Sequence, residues 1–264
     1  MSDEVLYAVD GPIATITLNA PQRMNTISGP MLRLLTERLV AADEDRAVRC
    51  VILTGAGRAF CAGLNMEAQS RGSDNLSVGS GATPTNLDLR NTPPTVLHAM
   101  DTPVVCALNG SAAGYGLDLA LGCDIRVLAR SGKLAASYVK RGVLPESGGT
   151  WYLPRLLGLS MAAELVFTGR TLSSEESLRL GLVSRVVEDG ELMGAARAVA
   201  LEIAANAPLA VQAAKRMMRM AWNETFNDHT HHVFLQLLPL MQTADMKEGI
   251  RAFLEKRAPN FTGR

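Results

Sequence analysis

Residues 103–124, PVVCALNGSAAGYGLDLALGCD, hold the spacing with the clearest chemical meaning in this chain. An apolar run, Val104 to Leu108, has the length of one buried strand. Asn109 and Gly110 break it, small residues follow, and glycines recur at Gly114 and Gly116. From Leu117 to Leu121 the chain is apolar again, with Asp118 as the exception. The pattern reads as a strand, a tight glycine turn and a buried helix beginning near Gly116. The first amides of such a helix lack backbone partners, and together with the helix dipole they favour negative charge. Asp118 then lies within the first turn or so, beside whatever binds there. The same glycines also suit a plainer role, close packing of helix on strand with Asp118 complementing the dipole. The stretch alone leaves both open. It is not a P-loop, since no Gly-Lys-Ser/Thr follows, nor the dinucleotide GxGxxG, since Leu119 occupies the third glycine position.

Two further stretches belong with it. GRAFCAGLNMEA, residues 57–68, repeats the theme of a strand end, a glycine (Gly63) and the start of a helix. KRGVLPESGGTWYLPRLLG, residues 140–158, is a loop leading into a helix, with Glu146 between Pro145 and the glycines at 148 and 149. Asp228, His229, His231 and His232 form a polar knot at the start of a C-terminal helix. Their spacing gives no standard metal-binding face, so they read as an exposed helix end and no metal is expected.

Elements that must position these residues follow from periodicity. Alternation over residues 4–18 around Asp10-Gly11 predicts a hairpin. A polar loop, NAPQRMN, leads to a helix capped by Ser28, with Pro30 in its first turn and Met31, Leu34, Leu35 and Leu39 as its stripe. Asp43 to Asp45 reads as its solvated end. Strands are expected at 48–53, 125–129, 133–138 and 183–187. Helices are expected near 97–100, 161–167 and 173–181, the last capped by Ser173. Residues 69–92, rich in Gly, Ser, Asn and Thr, predict a long lid or binding loop. Beyond about residue 190 only helical patterns remain, at 190–205, 208–222, 223–243 and 245–256. The chain therefore divides into a mixed core, 1–198, and a helical module, 199–264.

The composition bounds the function. Twenty-six Lys and Arg balance 26 Asp and Glu, giving a formal net charge of +0, which argues against a nucleic-acid partner. The four cysteines lie in apolar runs without CxxC spacing and suit buried thiols in a reducing, cytoplasmic setting. No stretch reads as a signal peptide or reaches the ~18 apolar residues of a membrane span.

Taken in order, ATITLNAPQRMN, VILTGAGRAFCAGLN, PVVCALNGSAAGYGLDLALGCD, RGVLPESGGTWYLPRLLG, TGRTLSSEESLRLGLVSRVV and EGIRAFLEKRAPNFTG resemble the crotonase superfamily, the enoyl-CoA hydratase/isomerase fold, over nearly the whole chain. The resemblance implies an α/β spiral of strand–strand–helix repeats with a C-terminal helical trimerisation domain, assembling as a homotrimer or hexamer. It implies an acyl-CoA thioester as substrate, with coenzyme A entering as part of it and no separate cofactor. It places the thioester oxygen between the backbone amides of Leu64 and Tyr115, with Ala62, Gly63 and Gly114 lining that site. Such donors stabilise the charge that develops as a thioester enolate forms. Arg23, Lys256 and Arg257 are the implied contacts for the coenzyme A portion.

Departures from the family pattern bear on the reaction. The first glutamate of the hydratases falls at Asp118, one methylene shorter. The second falls at Tyr138, which cannot act as a carboxylate base. Glu146 stands where the family's isomerases carry an acid. Asp118 and Glu146 are thus the expected catalytic carboxylates. Double-bond isomerisation is favoured over hydration by the two together. A non-catalytic acyl-CoA-binding or RNA-binding protein on the same scaffold fits less well, given two carboxylates and no basic excess.

Overall fold

The computed structural model describes residues 4–65 and 92–264. The expected lid loop, apart from Thr92, lies outside the described residues, as does any helix beyond Asn65.

The N-terminal hairpin forms as expected. β1 (Val5–Asp10) pairs antiparallel with β2 (Ile13–Leu18), and Gly11 takes the positive φ of 58° that the turn requires. Parallel strands then add one by one: β3 (Cys50–Gly55), β5 (Val104–Leu108), β7 (Ile125–Ala129) and β10 (Arg185–Val187). A smaller sheet holds β4 (Ala59–Cys61), β6 (Ser111–Ala113), β8 (Leu134–Ala135) and β9 (Thr171–Leu172). β3, β5 and β7 each lie in the large sheet, and β4, β6 and β8, which follow them, in the small one. Successive turns of chain therefore stack in parallel, which is the expected spiral.

Strands buried on both faces read as unbroken apolar runs, and the side chains alternate between two cores. Val51, Leu53, Cys106, Leu108 and Leu128 join the larger one with Met31, Leu35 and Leu39 of α1 (Gly29–Glu44). Ile52, Val105, Ala107 and Val127 face the other side, covered by Leu192, Ala196, Val199 and Ala200 of a C-terminal helix, Leu192–Ala204. The expected division at 198/199 falls within that helix. All four cysteines are free and buried.

Among the described residues the remaining α-helices are α2 (Pro93–Ala99), α3 (Tyr115–Gly122), α4 (Gly149–Leu157), α5 (Leu159–Thr168) and α6 (Ser174–Arg179), then α7 (Leu192–Ala204), α8 (Pro208–Met220), α9 (Phe226–Leu240) and α10 (Ala244–Glu255). Ser28 and Ser173 cap α1 and α6 as expected, the latter with a full capping box to Glu176. Two expectations are corrected. The strand at 133–138 is only Leu134–Ala135, because the backbone turns to helical dihedrals at Tyr138 and continues as the 3-10 turn Val139–Arg141. Asp43 is not a solvated end: its carboxylate accepts the amides of Asp101 and Thr102, at 3.1 and 2.8 Å, and ties α1 to the start of β5. Lys215 of α8 fastens the helical module to the core. Its buried ammonium lies 2.7 Å from Asp124 and donates to the Thr102 carbonyl at 2.9 Å.

Candidate active site

The two glycine turns arrive side by side because β4 and β6 are parallel neighbours. Cys61 pairs with Ala112, so Leu64 and Tyr115 each follow three residues beyond paired positions. Ile27 bridges to Leu64 in parallel fashion. Its N–H bonds the Gly63 carbonyl at 2.8 Å and its C=O takes the Asn65 amide at 2.9 Å. The Leu64 N–H therefore points away from Ile27 and, among the described residues, has no protein acceptor. Tyr115 opens α3 after Gly114, and the first intrahelical bonds come from Leu117 and Asp118. Its N–H is thus one of the helix's orphan donors.

Close approach of the two turns depends on missing side chains. A Cβ on Gly63 would lie 3.1 Å from the Ala113 carbonyl oxygen, and one on Gly116 would lie 2.2 Å from the Cys61 carbonyl oxygen. Gly63 and Gly114 also hold positive φ, 102° and 52°. At the other end of α3, the buried Arg126 donates to the Cys123 carbonyl at 2.6 Å and, at 3.4 Å, to those of Ala120 and Leu121. This satisfies the negative end of the helix dipole.

The loop at 19–27 braces the Leu64 turn. Met24 and Asn25 both sit at positive φ, 53° and 54°. Asn25 is fully buried: its Oδ1 accepts the Ala20 amide at 2.8 Å, and its Nδ2 donates to Ala56 and Ala59 at 2.9 and 2.8 Å. Met24 takes the Ala62 amide at 3.0 Å. Asn25 and Ile27 were missed in the sequence; only the asparagine closing NAPQRMN hinted at a left-handed turn.

The carboxylates lie together beyond Tyr115. Asp118 is 0% exposed. One oxygen accepts the Tyr138 hydroxyl, the other the Ser147 amide at 3.1 Å. Burial pushes its pKa up to about 6, with a smaller push from the Glu146 charge, against the lowering effect of those bonds. Glu146 lies on the outer side of the same turn. It is exposed in the single chain, yet the surrounding protein removes enough water to raise its carboxyl above the usual range. Its only protein hydrogen bond among the described residues is to its own backbone amide. The Tyr115 side chain is buried, with its phenol bonded to Ser147 and raised in pKa mainly by burial and by Cys61, Glu146 and Asp118.

Of the other expected contacts, Arg23 and Arg257 form ion pairs within the chain. Arg23 is paired with Glu4 at 2.8 Å and bonds Thr26 and Ser28. Arg257 is held by Glu248 at 2.6 Å and Glu255 at 2.6 Å. Lys256 is exposed and closes α10 in a left-handed conformation. His229 and His232 both bond Glu224, at 2.9 and 2.8 Å. Among the described residues no group of acidic, His and Cys side chains could hold a metal, and no helix is long and apolar enough to cross a membrane.

Residues 9–264 match the family model described as Enoyl-CoA hydratase/isomerase. The chain belongs to the enoyl-CoA hydratase/isomerase family. It is 36% identical, over 100% of both chains, to 1,2-epoxyphenylacetyl-CoA isomerase of Escherichia coli. It is also 36% identical to (E)-benzylidenesuccinyl-CoA hydratase of Thauera aromatica, over 98% of this chain and 99% of that one. The crystal structure of an enoyl-CoA hydratase from Mycobacterium marinum superposes with a TM-score of 0.90 at 34% identity, covering 100% of both chains. The α/β crotonase fold and an enoyl-CoA hydratase/isomerase-type enzyme follow. Relatives named isomerase and hydratase are equally similar to this chain, at 36% identity, so the comparisons leave the reaction open.

Proposed function

We propose that this enzyme shifts the double bond of an enoyl-CoA between C3 and C2, with Glu146 as the single base. The observation supporting this is the unequal state of the two carboxylates. Asp118 is wholly buried with both oxygens bonded inside the protein, whereas the exposed Glu146 carboxyl, among the described residues, takes no donor from another residue. In this reading Glu146 removes a proton from C2 of a 3-enoyl thioester. The electron pair moves onto the thioester oxygen, held by the Leu64 and Tyr115 amides, one such donor being worth ~3–4 kcal/mol. Glu146 then returns the proton at C4, leaving the 2-enoyl product with no atom gained or lost. A carboxyl raised towards neutral pH suits a group that must both take and give a proton. Coenzyme A takes part as the thioester portion of the substrate.

The test is incubation with straight-chain 2-enoyl- and 3-enoyl-CoAs and with phenyl-bearing analogues, products being resolved by chromatography and mass. Phenyl-bearing esters are included because the two curated relatives above are named for aryl acyl groups. Isomerisation leaves the mass unchanged; products heavier by one water would instead make the enzyme a hydratase. Binding without turnover of any ester would leave a non-catalytic acyl-CoA protein. A homotrimer or hexamer and a cytoplasmic location belong to the same reading. The first is supported by the apolar side chains exposed on α9 and α10, the second by four buried free thiols.

A further inference from the structure

We infer that Asp118 and Tyr138 are positioning residues that fix the turn carrying Glu146, and that neither exchanges a proton with substrate. The inference rests on the reading of Glu146 as the base.

Asp118 projects from the helix whose first residue supplies the Tyr115 amide. Its carboxylate accepts the Ser147 amide, next to Glu146, at 3.1 Å and lies against Gly149, which opens α4. The turn closes tightly around it. A Cβ on Gly149 would stand 2.3 Å from the Asp118 Oδ1 and 2.8 Å from the Pro145 Cβ. The Tyr138 hydroxyl, on a residue 2% exposed, takes a further acceptor site on the same carboxylate. Each oxygen of this carboxylate is thus engaged by a donor inside the protein, and the side chain is 0% exposed. One helix thereby sets the place of both the oxyanion donor and the base, in a single frame. The titratable groups facing this carboxylate are Tyr138, Tyr115 and Glu146, with Cys61 of β4 beside Tyr115.

The arrangement separates a positioning carboxylate from a reacting one. The 145–149 turn leaves no room around this carboxylate for the extra methylene of a glutamate. The test compares wild type, Glu146→Gln, Asp118→Asn, Asp118→Glu, Tyr138→Phe and Asp118→Asn/Tyr138→Phe on the 3-enoyl-CoA that wild type isomerises fastest. The readouts are kcat, KM and the pH profile of kcat. Glu146→Gln should lose ~10²–10⁴ in kcat and its ascending limb. Asp118→Asn and Tyr138→Phe should lose about tenfold in kcat with KM nearly constant, as expected for misplacement of a base by a fraction of an ångström. Asp118→Glu should fall below Asp118→Asn.

Tyr138→Phe removes a single buried oxygen, so it also serves if the Asp118 variants fold poorly. Loss of its hydrogen bond makes Asp118 easier to protonate, and a protonated Asp118 holds the Ser147 amide more weakly. The ascending limb should therefore move up by about half a pH unit or more, and it should not move when the same change is made in Asp118→Asn. An Asp118→Glu enzyme of wild-type activity beside a dead Asp118→Asn would overturn the inference, as would an unmoved limb in Tyr138→Phe. Full activity in Glu146→Gln would instead overturn the assignment of the base.

Discussion

Gly116 offers the sharpest test of how the two amides are held. In Gly116→Ala the added carbon would meet the Cys61 carbonyl oxygen at 2.2 Å, the Cys61 Cβ at 2.7 Å and its carbonyl carbon at 2.9 Å. Two of these are backbone atoms of β4, so no rotamer change relieves the contact. Reaching ordinary contact of ~3.5 Å requires α3 to retreat from β4 by about 1 Å. The helix carries the Tyr115 amide and the strand leads to the Leu64 amide, so that retreat separates the proposed clamp. A misplacement of about 1 Å costs on the order of 10²-fold in rate, or about 2.7 kcal/mol of barrier. Stability should change less, since overpacking of ~1–3 kcal/mol is partly offset by a helix-propensity gain of ~1 kcal/mol for Ala over Gly. Gly122→Ala is the control on the same helix: its Cβ would meet only the Leu97 side chain, at 3.5 Å, and the Tyr152 hydroxyl, at 3.9 Å. Isomerisation kinetics and thermal melts of both variants are the assay. Gly116→Ala should lose about 100-fold in kcat while staying folded, and Gly122→Ala should keep wild-type kcat. A folded Gly116→Ala with kcat within about threefold of wild type would refute this account of the clamp.

Three other outcomes are expected. Asn25→Ala strips buried partners from Ala20, Ala56 and Ala59 and should destabilise by about 2–4 kcal/mol, read as a lower midpoint in chemical denaturation; an unchanged midpoint would show that the 19–27 brace is dispensable. Asp118 has a folded-state pKa of about 6 against an ordinary 3.8. The native state therefore holds its proton longer than the unfolded chain, and stability from this group is lost as pH rises from about 4 to 6. Asp118→Asn cannot ionise, so its stability relative to wild type should climb by about 2–3 kcal/mol over that window, and a pH-independent difference would contradict the raised value. Phe226, Phe234, Phe253 and Leu254 are 83%, 58%, 82% and 73% exposed in the single chain, more apolar surface than a monomer normally leaves in water. Light scattering should report a trimer or hexamer, and a monomer at micromolar concentration would count against it.

Much of the fold was legible because its signals are local. Gly11 marks a hairpin turn, Ser28 and Ser173 mark helix starts, and the apolar runs 50–53 and 104–108 mark strands buried on both faces. The glycines at 63, 114 and 116 likewise announce positions where backbone must bend or approach closely. The sequence by itself therefore determined the spiral, the family and the two turns that offer free amides. It did not determine which side chains meet across those turns. Asp43 looked like a solvated helix end until the 101–102 amides were seen upon it, and Asn25 looked like one more loop residue. Asp118 and Glu146 read alike as two available carboxylates, because ionisable groups carry no mark in sequence of their eventual surroundings. Tertiary structure alone separated them: Tyr138, 20 positions away, and the Ser147 amide engage Asp118, while the Glu146 carboxyl, among the described residues, takes no donor from another residue. Burial and hydrogen bonding depend on every neighbour in three dimensions, and those neighbours decide what a carboxylate can do.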